Sequence, residues 1–233
     1  MSVVVFLGPS LDRADAEREL DAEYLPPVRR GDIDALLTRS RRPDTIGIVD
    51  GRFLHSMAIS PKEVLRAIDA GISVYGSSSM GALRAVECAP YGMVGVGRVY
   101  EEYASGRVDA DDEVAIAYDE ETGRAMSEPL VNWRIALAAG VAAGAVPEPL
   151  VQRFLALGKA TYFPQRTRAG VLRLLAAEFG KPECAGLAAY LADPAADAKR
   201  TDALALLRRI RRSGGPEPSA SGAGRTRDSG RPS

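Results

Sequence analysis

Three short apolar runs, each ending in small polar residues, constrain this chain more than any other feature. They are Val3-Val4-Val5-Phe6-Leu7 before Gly8-Pro9-Ser10, Thr45-Ile46-Gly47-Ile48-Val49 before Asp50-Gly51, and Ile72-Ser73-Val74-Tyr75 before a run of serines. Continuous runs of this length, rich in β-branched residues, suit strands buried on both faces of a parallel sheet. Helical signals lie between them. Ser10 is placed to cap a helix reaching about Ala22, and Ile33, Leu36 and Leu37 share one face of a helix starting at Asp32. Ser60-Pro61-Lys62-Glu63 is a capping box that opens a helix to about Ala70, while Tyr24-Leu25-Pro26-Pro27 reads as a link. This alternation predicts an α/β fold with a Rossmann-like, mostly parallel sheet flanked by helices.

Beyond Ala89 the pattern changes. A short helix is expected from Arg98 to Gly106, a strand from Val114 to Tyr118, and a helix from Glu128 to Ala142 entered through Ser127. From Glu148 to about Arg212 the chain reads as helical, with breaks near Gly180-Lys181-Pro182 and Asp193-Pro194. The expected organisation is an α/β core over residues 1–145, a helical C-terminal region over 146–212 and a disordered, Gly-, Ser-, Pro- and Arg-rich tail over 213–233.

Thirty basic residues face thirty-one acidic ones, so there is no global field to hold nucleic acid or an anionic membrane. Cys88 and Cys184 are the only cysteines, and their separation suggests neither a disulfide framework nor a metal site. With no basic leader before the first apolar run and no stretch long enough to span a bilayer, a soluble cytoplasmic protein is expected. No cofactor or metal is expected.

Ligands of doubly wound sheets sit outside the carboxyl ends of the strands. Three small polar turns fall at such ends here: Gly8-Pro9-Ser10, Asp50-Gly51, and Gly76-Ser77-Ser78-Ser79-Met80-Gly81. If the strands are neighbours, these turns share one crevice. The third turn has the glycine spacing of a phosphate loop, but Ala82 stands where the lysine would follow. Gly92-Met93-Val94-Gly95-Val96-Gly97 is no better as a dinucleotide loop. A nucleophile on a strand-to-helix turn needs small residues two before and two after it. Ser79 has Ser77 and Gly81 there, whereas Ser78 has Gly76 and bulky Met80. The competing account makes one serine a helix cap and the others turn filler.

The base is less legible. His55, the lone histidine, follows the second strand but has no spaced partners. Lys62 is a cation in the first turn of a helix, which the helix dipole disfavours, so it is either solvated or matched to an anion or a proton-transfer role. Asp50 is placed to orient a base or bind a cation, or is a plain turn residue before Gly51. Arg84 is placed to pair with Glu87 at i+3, and Asp109-Ala110-Asp111-Asp112-Glu113 reads as a solvated acidic turn without metal-loop spacing. Asn132 and Arg134 offer either a polar recognition face or structural hydrogen bonds.

Phe6-Leu7-Gly8-Pro9-Ser10, Tyr24-Leu25-Pro26-Pro27 with Gly31-Asp32, Ile48-Val49-Asp50-Gly51, Lys62-Glu63, the serine turn through Arg84, Gly92 to Gly97 and Asp111-Asp112-Glu113-Val114 together resemble the TfuA-like proteins, over roughly residues 3 to 135. The resemblance implies a role in ribosomal-peptide biosynthesis beside a YcaO enzyme, which uses ATP to turn a backbone amide into a thioamide. It implies hydrolysis of a thiocarboxylated, ubiquitin-like sulfur carrier of the ThiS type, with release of sulfide. Pro61 stands where the family often has a histidine, which shifts the expected base to Lys62. The expected site is then Ser79 as nucleophile, Lys62 as base or anion binder and Asp50 as orienter. Gly8, Pro9, Ser10, Gly51, Ser78, Met80 and Gly81 line the crevice, and Arg84 and Arg134 receive the carrier's C-terminus. Two other functions stay open: an adaptor that docks the carrier onto the YcaO enzyme without catalysis, and a nucleotide-binding protein.

Overall fold

The computed structural model describes residues 1–53, 57–119 and 121–214. Its centre is a sheet of five strands: β1 (Val3–Phe6), β2 (Glu23–Leu25), β3 (Thr45–Ile48), β4 (Ser73–Ser77) and β5 (Val94–Val96). All neighbours are parallel, in the order β2-β1-β3-β4-β5. The strands of the three apolar runs are adjacent at the centre of the sheet, where helices cover both of their apolar faces. The edge strands β2 and β5 are additions to the expected set. Each has only three residues, and Pro26 ends the first. Gly95 of the supposed dinucleotide loop pairs with Gly76 inside the sheet.

Side chains of Val4, Phe6, Ile46, Ile48 and Val74 share one core with α2 (Asp32–Leu37), α3 (Pro61–Asp69), α4 (Met80–Cys88) and α5 (Arg98–Ala104). On the other face, Val3, Val5, Leu7 and Tyr75 form a second core with α1 (Arg13–Glu19). That helix starts later than Ser10 implies, because the Ser10 hydroxyl is spent on Asp50. The capping box is formed as expected, and Glu63 also accepts the Gly31 N–H at 2.8 Å.

Four helices, α6 (Leu130–Ala142), α7 (Glu148–Ala160), α8 (Arg168–Phe179) and α9 (Lys181–Leu191), pack around a third core in which Trp133 and Phe154 meet at 5.1 Å. The C-terminal region is helical, yet its final element does not stay with this bundle. Helix α10 (Ala198–Gly214) lays Ala203, Leu206, Leu207 and Ile210 on the sheet beside α1, so it supplies the second layer of the α/β sandwich. Gly47 permits the approach: a Cβ there would lie 3.1 Å from both Leu206 and Ile210.

Val114 to Tyr118 is not a strand; it is preceded by a 3-10 turn and joins only an isolated bridge between Tyr118 and Ala125. The acidic run before it is not a solvated turn either. Glu113 is buried and takes a two-pronged ion pair from Arg134, while Asp112 binds Lys159 and the buried Arg166. His55 and residues 215–233 of the expected disordered tail lie outside the described residues. Among the described residues no helix is long and apolar enough to cross a membrane.

Candidate functional site

The strand order reverses direction between β1 and β3, and the crevice at their carboxyl ends is where open α/β sheets hold ligands. Asp50, two residues past the end of β3 and 3% exposed, organises it. Its Oδ2 accepts the backbone N–H of Gly8 at 2.9 Å and of Ser10 at 3.1 Å, and its Oδ1 accepts the Ser10 hydroxyl at 2.6 Å. A carboxylate with three donors fixes the loop after β1 firmly, since charge-assisted bonds are about twice as strong as neutral ones. The turns after β1 and β3 thus converge.

The third turn joins them through β4 and α4. Its backbone is strained at Ser78, which holds φ at 64° and is closed over by the Ser79 N–H donating back to the Ser77 carbonyl at 2.7 Å. A left-handed, non-glycine residue costs about 1–3 kcal/mol and persists only where surroundings enforce it. Here the enforcement is a fully buried hydroxyl, donated by Ser78 to the Lys199 carbonyl at 2.8 Å. The strain therefore sits one residue before the serine singled out by spacing, and the Ser78 hydroxyl is already committed.

Ser79 occupies the N-cap position of α4, but its side chain caps nothing. A serine cap contributes about 1 kcal/mol when used, so a forgone cap leaves a hydroxyl open to other chemistry. Ser79 lines a cavity of about 200 Å³ together with Pro9, Asp50, Gly51, Arg52 and Lys199. The N–H groups of Ser79, Gly81 and Ala82 donate to the carbonyls of Ser77, Val49 and Ser79. The Met80 N–H is the first helical donor of α4 and belongs to the same turn. The turn's glycine spacing has a packing cause: a Cβ on Gly76 would fall 2.1 Å from the Gly81 oxygen, and one on Gly81 would fall 1.8 Å from the Ile48 oxygen. Met80 is buried against Gly51, where a Cβ would meet its side chain at 2.8 Å.

Of the other expected residues, Gly8 and Ser10 are part of the loop that Asp50 holds, and each lines a neighbouring cavity. Three cations fall elsewhere. Lys62 is exposed in the first turn of α3 and is not among the cavity's lining residues. Arg84 donates to the Ile59 carbonyl at 2.8 Å and to Glu87 at 2.6 Å, the pairing its spacing allowed. Arg134 is held in both prongs by Glu113, at 2.7 and 3.2 Å. Neither arginine lines the cavity, because each guanidinium is used to join secondary structures.

Two cations missing from the expected set do line it. Arg52 sits two residues beyond Asp50, with its guanidinium 5.9 Å from the centre of the Tyr118 ring. Lys199, 2% exposed in the first turn of α10, donates to the Val114 carbonyl at 3.1 Å. Burial pushes its ammonium below the usual lysine range, with the charges of Asp50 and Asp197 opposing that shift. Arg52 was within reach of sequence reasoning as the neighbour of a strand-end turn. Lys199 carried no local signal. Among the described residues no cluster of His, Cys, Asp and Glu could hold a metal ion.

Residues 50–167, half of the chain, match the family model of the TfuA-like proteins. The chain belongs to the TfuA-like family. The match begins at Asp50 and includes the serine turn, the buried acidic run and α6 and α7, but it stops short of α10. No curated protein shows significant similarity to this TfuA-like chain.

Proposed function

We propose that this TfuA-like protein hydrolyses the thiocarboxylate at the C-terminus of a ubiquitin-like sulfur carrier of the ThiS type. The sulfide released would serve a partner YcaO enzyme that builds a peptide backbone thioamide. The observation that carries the reading is Ser79: a hydroxyl at a strained strand-to-helix turn, unused as a cap, opening onto a small cavity beside Asp50.

A thiocarboxylate is an acyl donor with sulfide as its leaving group. In the first half-reaction Ser79 Oγ forms a bond to the thiocarboxylate carbon, the carbon–sulfur bond breaks, and the carrier is left as an ester on Ser79. In the second half, water adds to the ester carbon and the Ser79 oxygen leaves, giving a carboxylate carrier and free serine. The Met80 N–H, at the positive end of α4, is the donor for the oxyanion that develops in each half. Arg52 supplies a cation on the cavity wall for the anionic substrate. Asp50 orients the wall through Gly8 and Ser10 and touches no reacting atom in this scheme.

The test is sulfide release from thiocarboxylated carrier, with no YcaO enzyme present. Ser79→Ala is expected to lose at least about a hundredfold in rate, whereas Ser78→Ala, which removes a buried bond, is expected to lower stability by about 1 kcal/mol and leave release measurable. Undiminished release by Ser79→Ala would remove the serine from the chemistry. A stable complex with the carrier that frees no sulfide would favour the adaptor function.

A further inference from the structure

Lys199 is a buried amine without a sufficient structural reason. Its Nζ has three potential donors as an ammonium, and the structure gives it the Val114 carbonyl at 3.1 Å. A lysine so enclosed costs more as a cation than an apolar side chain of the same length would. Its backbone, by contrast, is held from two sides: its N–H donates to Asn132 Oδ1 at 3.0 Å, and its carbonyl accepts the Ser78 hydroxyl at 2.8 Å. The second bond ties the first turn of α10 to the residue next to Ser79. The same side chain lines the cavity that Ser79 and Asp50 line.

We propose that Lys199 is the base that takes the Ser79 proton. The inference rests on Ser79 being the nucleophile. Neutral Lys199 Nζ accepts the hydroxyl proton as the serine oxygen bonds to carbon, and the resulting ammonium returns that proton to the departing sulfur, which leaves as hydrosulfide. In the second half the amine takes a proton from water and delivers it to the Ser79 oxygen, and the carboxylic acid formed loses water's other proton to solvent. No proton is gained or lost by the pair over a full cycle. A serine served by a lysine needs no histidine, and the arrangement recurs on unrelated folds.

Burial lowers the pKa of the amine below the ordinary lysine value, which favours the neutral form that a base needs. The charged groups facing it are Asp50 across the cavity and Asp197 at the start of α10, both of which steady the ammonium formed in mid-reaction, and Arg52 on the cavity wall, which opposes it. Asp50 so has a second use beyond holding the Gly8–Ser10 loop. Lys199 also lies outside residues 50–167, the segment that matches the family model, so the site is completed by a helix beyond it.

Two readouts separate this inference from the choice of substrate. The first is the rate at which a fluorophosphonate probe labels Ser79, which needs no sulfur carrier; the second is sulfide release. Lys199→Met is expected to slow both by about a hundredfold or more with its melting temperature kept. Lys199→Arg should not restore either, because a guanidinium stays charged. In the unsubstituted protein, labelling should rise with pH and level off below 10.5, the ordinary lysine value. Labelling of Lys199→Met at the unsubstituted rate, or a rate that climbs with hydroxide through that value without levelling, would overturn the inference. Loss of labelling in Lys199→Met alongside thiocarboxylate that is never cleaved would keep the base and discard the substrate. Unchanged sulfide release by Ser79→Ala would discard both.

Discussion

Two buried cations, one in the helical bundle and one at the crevice, show how differently this chain treats interior charge. Arg166, fully buried between α7 and α8, is saturated: its guanidinium donates to the carbonyls of Gly158, Asp112 and Thr161 and to the Asp112 carboxylate at 2.8 Å. Lys199 is as well hidden and has the Val114 carbonyl. A guanidinium cannot shed its proton in a protein, so its burial must be satisfied bond by bond; an amine can become neutral instead. The bundle's cation is saturated with hydrogen bonds, whereas the crevice's has the one carbonyl. Burial alone does not distinguish them; the hydrogen bonds do.

The contrast makes definite demands on stability. The largest effect should come from Arg166→Met, which strips partners from three carbonyls and a carboxylate at once and is expected to cost about 3 kcal/mol or more in urea denaturation. Lys199→Met, in which the removed group had little to lose, should leave stability nearly level or raise it. If both substitutions cost the same, the two sites are alike and the distinction fails.

A pH series should separate them next. The folded value of Lys199 lies below the 10.5 of an unfolded lysine, so between the two the unfolded chain binds more protons. The Lys199 contribution to stability therefore rises with pH across that interval and is complete above it. Lys199→Met is expected to flatten this rise. A slope that persists in Lys199→Met would mean that the lysine is charged in the folded protein.

The smallest effect belongs to Lys62. It is exposed on α3, and its replacement by alanine is expected to change sulfide release by no more than about twofold, since solvated charges away from a site contribute little. A large loss would return the base to the position that the sequence favoured.

Legibility in the sequence followed locality. The three apolar runs disclosed β1, β3 and β4, and their ends disclosed Asp50 and Ser79, because strand length, turn residues and crevice position are all written in short stretches. The edge strands were missed because Glu23-Tyr24-Leu25 and Val94-Gly95-Val96 are too short to show a period and are only partly buried. Helix α10 was legible as a helix; its partner was not, since Leu206 and Ile210 meet a sheet whose first strand lies some two hundred residues earlier. Lys199 escaped for the same reason: Ser78, Asn132 and Val114 come to it from three separate parts of the chain. Arg84 and Arg134 were plausible anion binders only until their carboxylate partners were placed.

The packing of α10 on the face formed by Val3, Val5 and Leu7 also sets the order in which the molecule can mature. Contacts between the first strand and a helix near residue 206 have very high sequence separation, and such contacts form late and slowly. A growing chain can pair β1 with β3 and cover one side of its sheet with α2 to α4, but the other side has only α1 until α10 arrives. During that interval the apolar face is open to chaperones and to other chains. The half-made sandwich is thus the state of this chain that exposes the most apolar sheet surface.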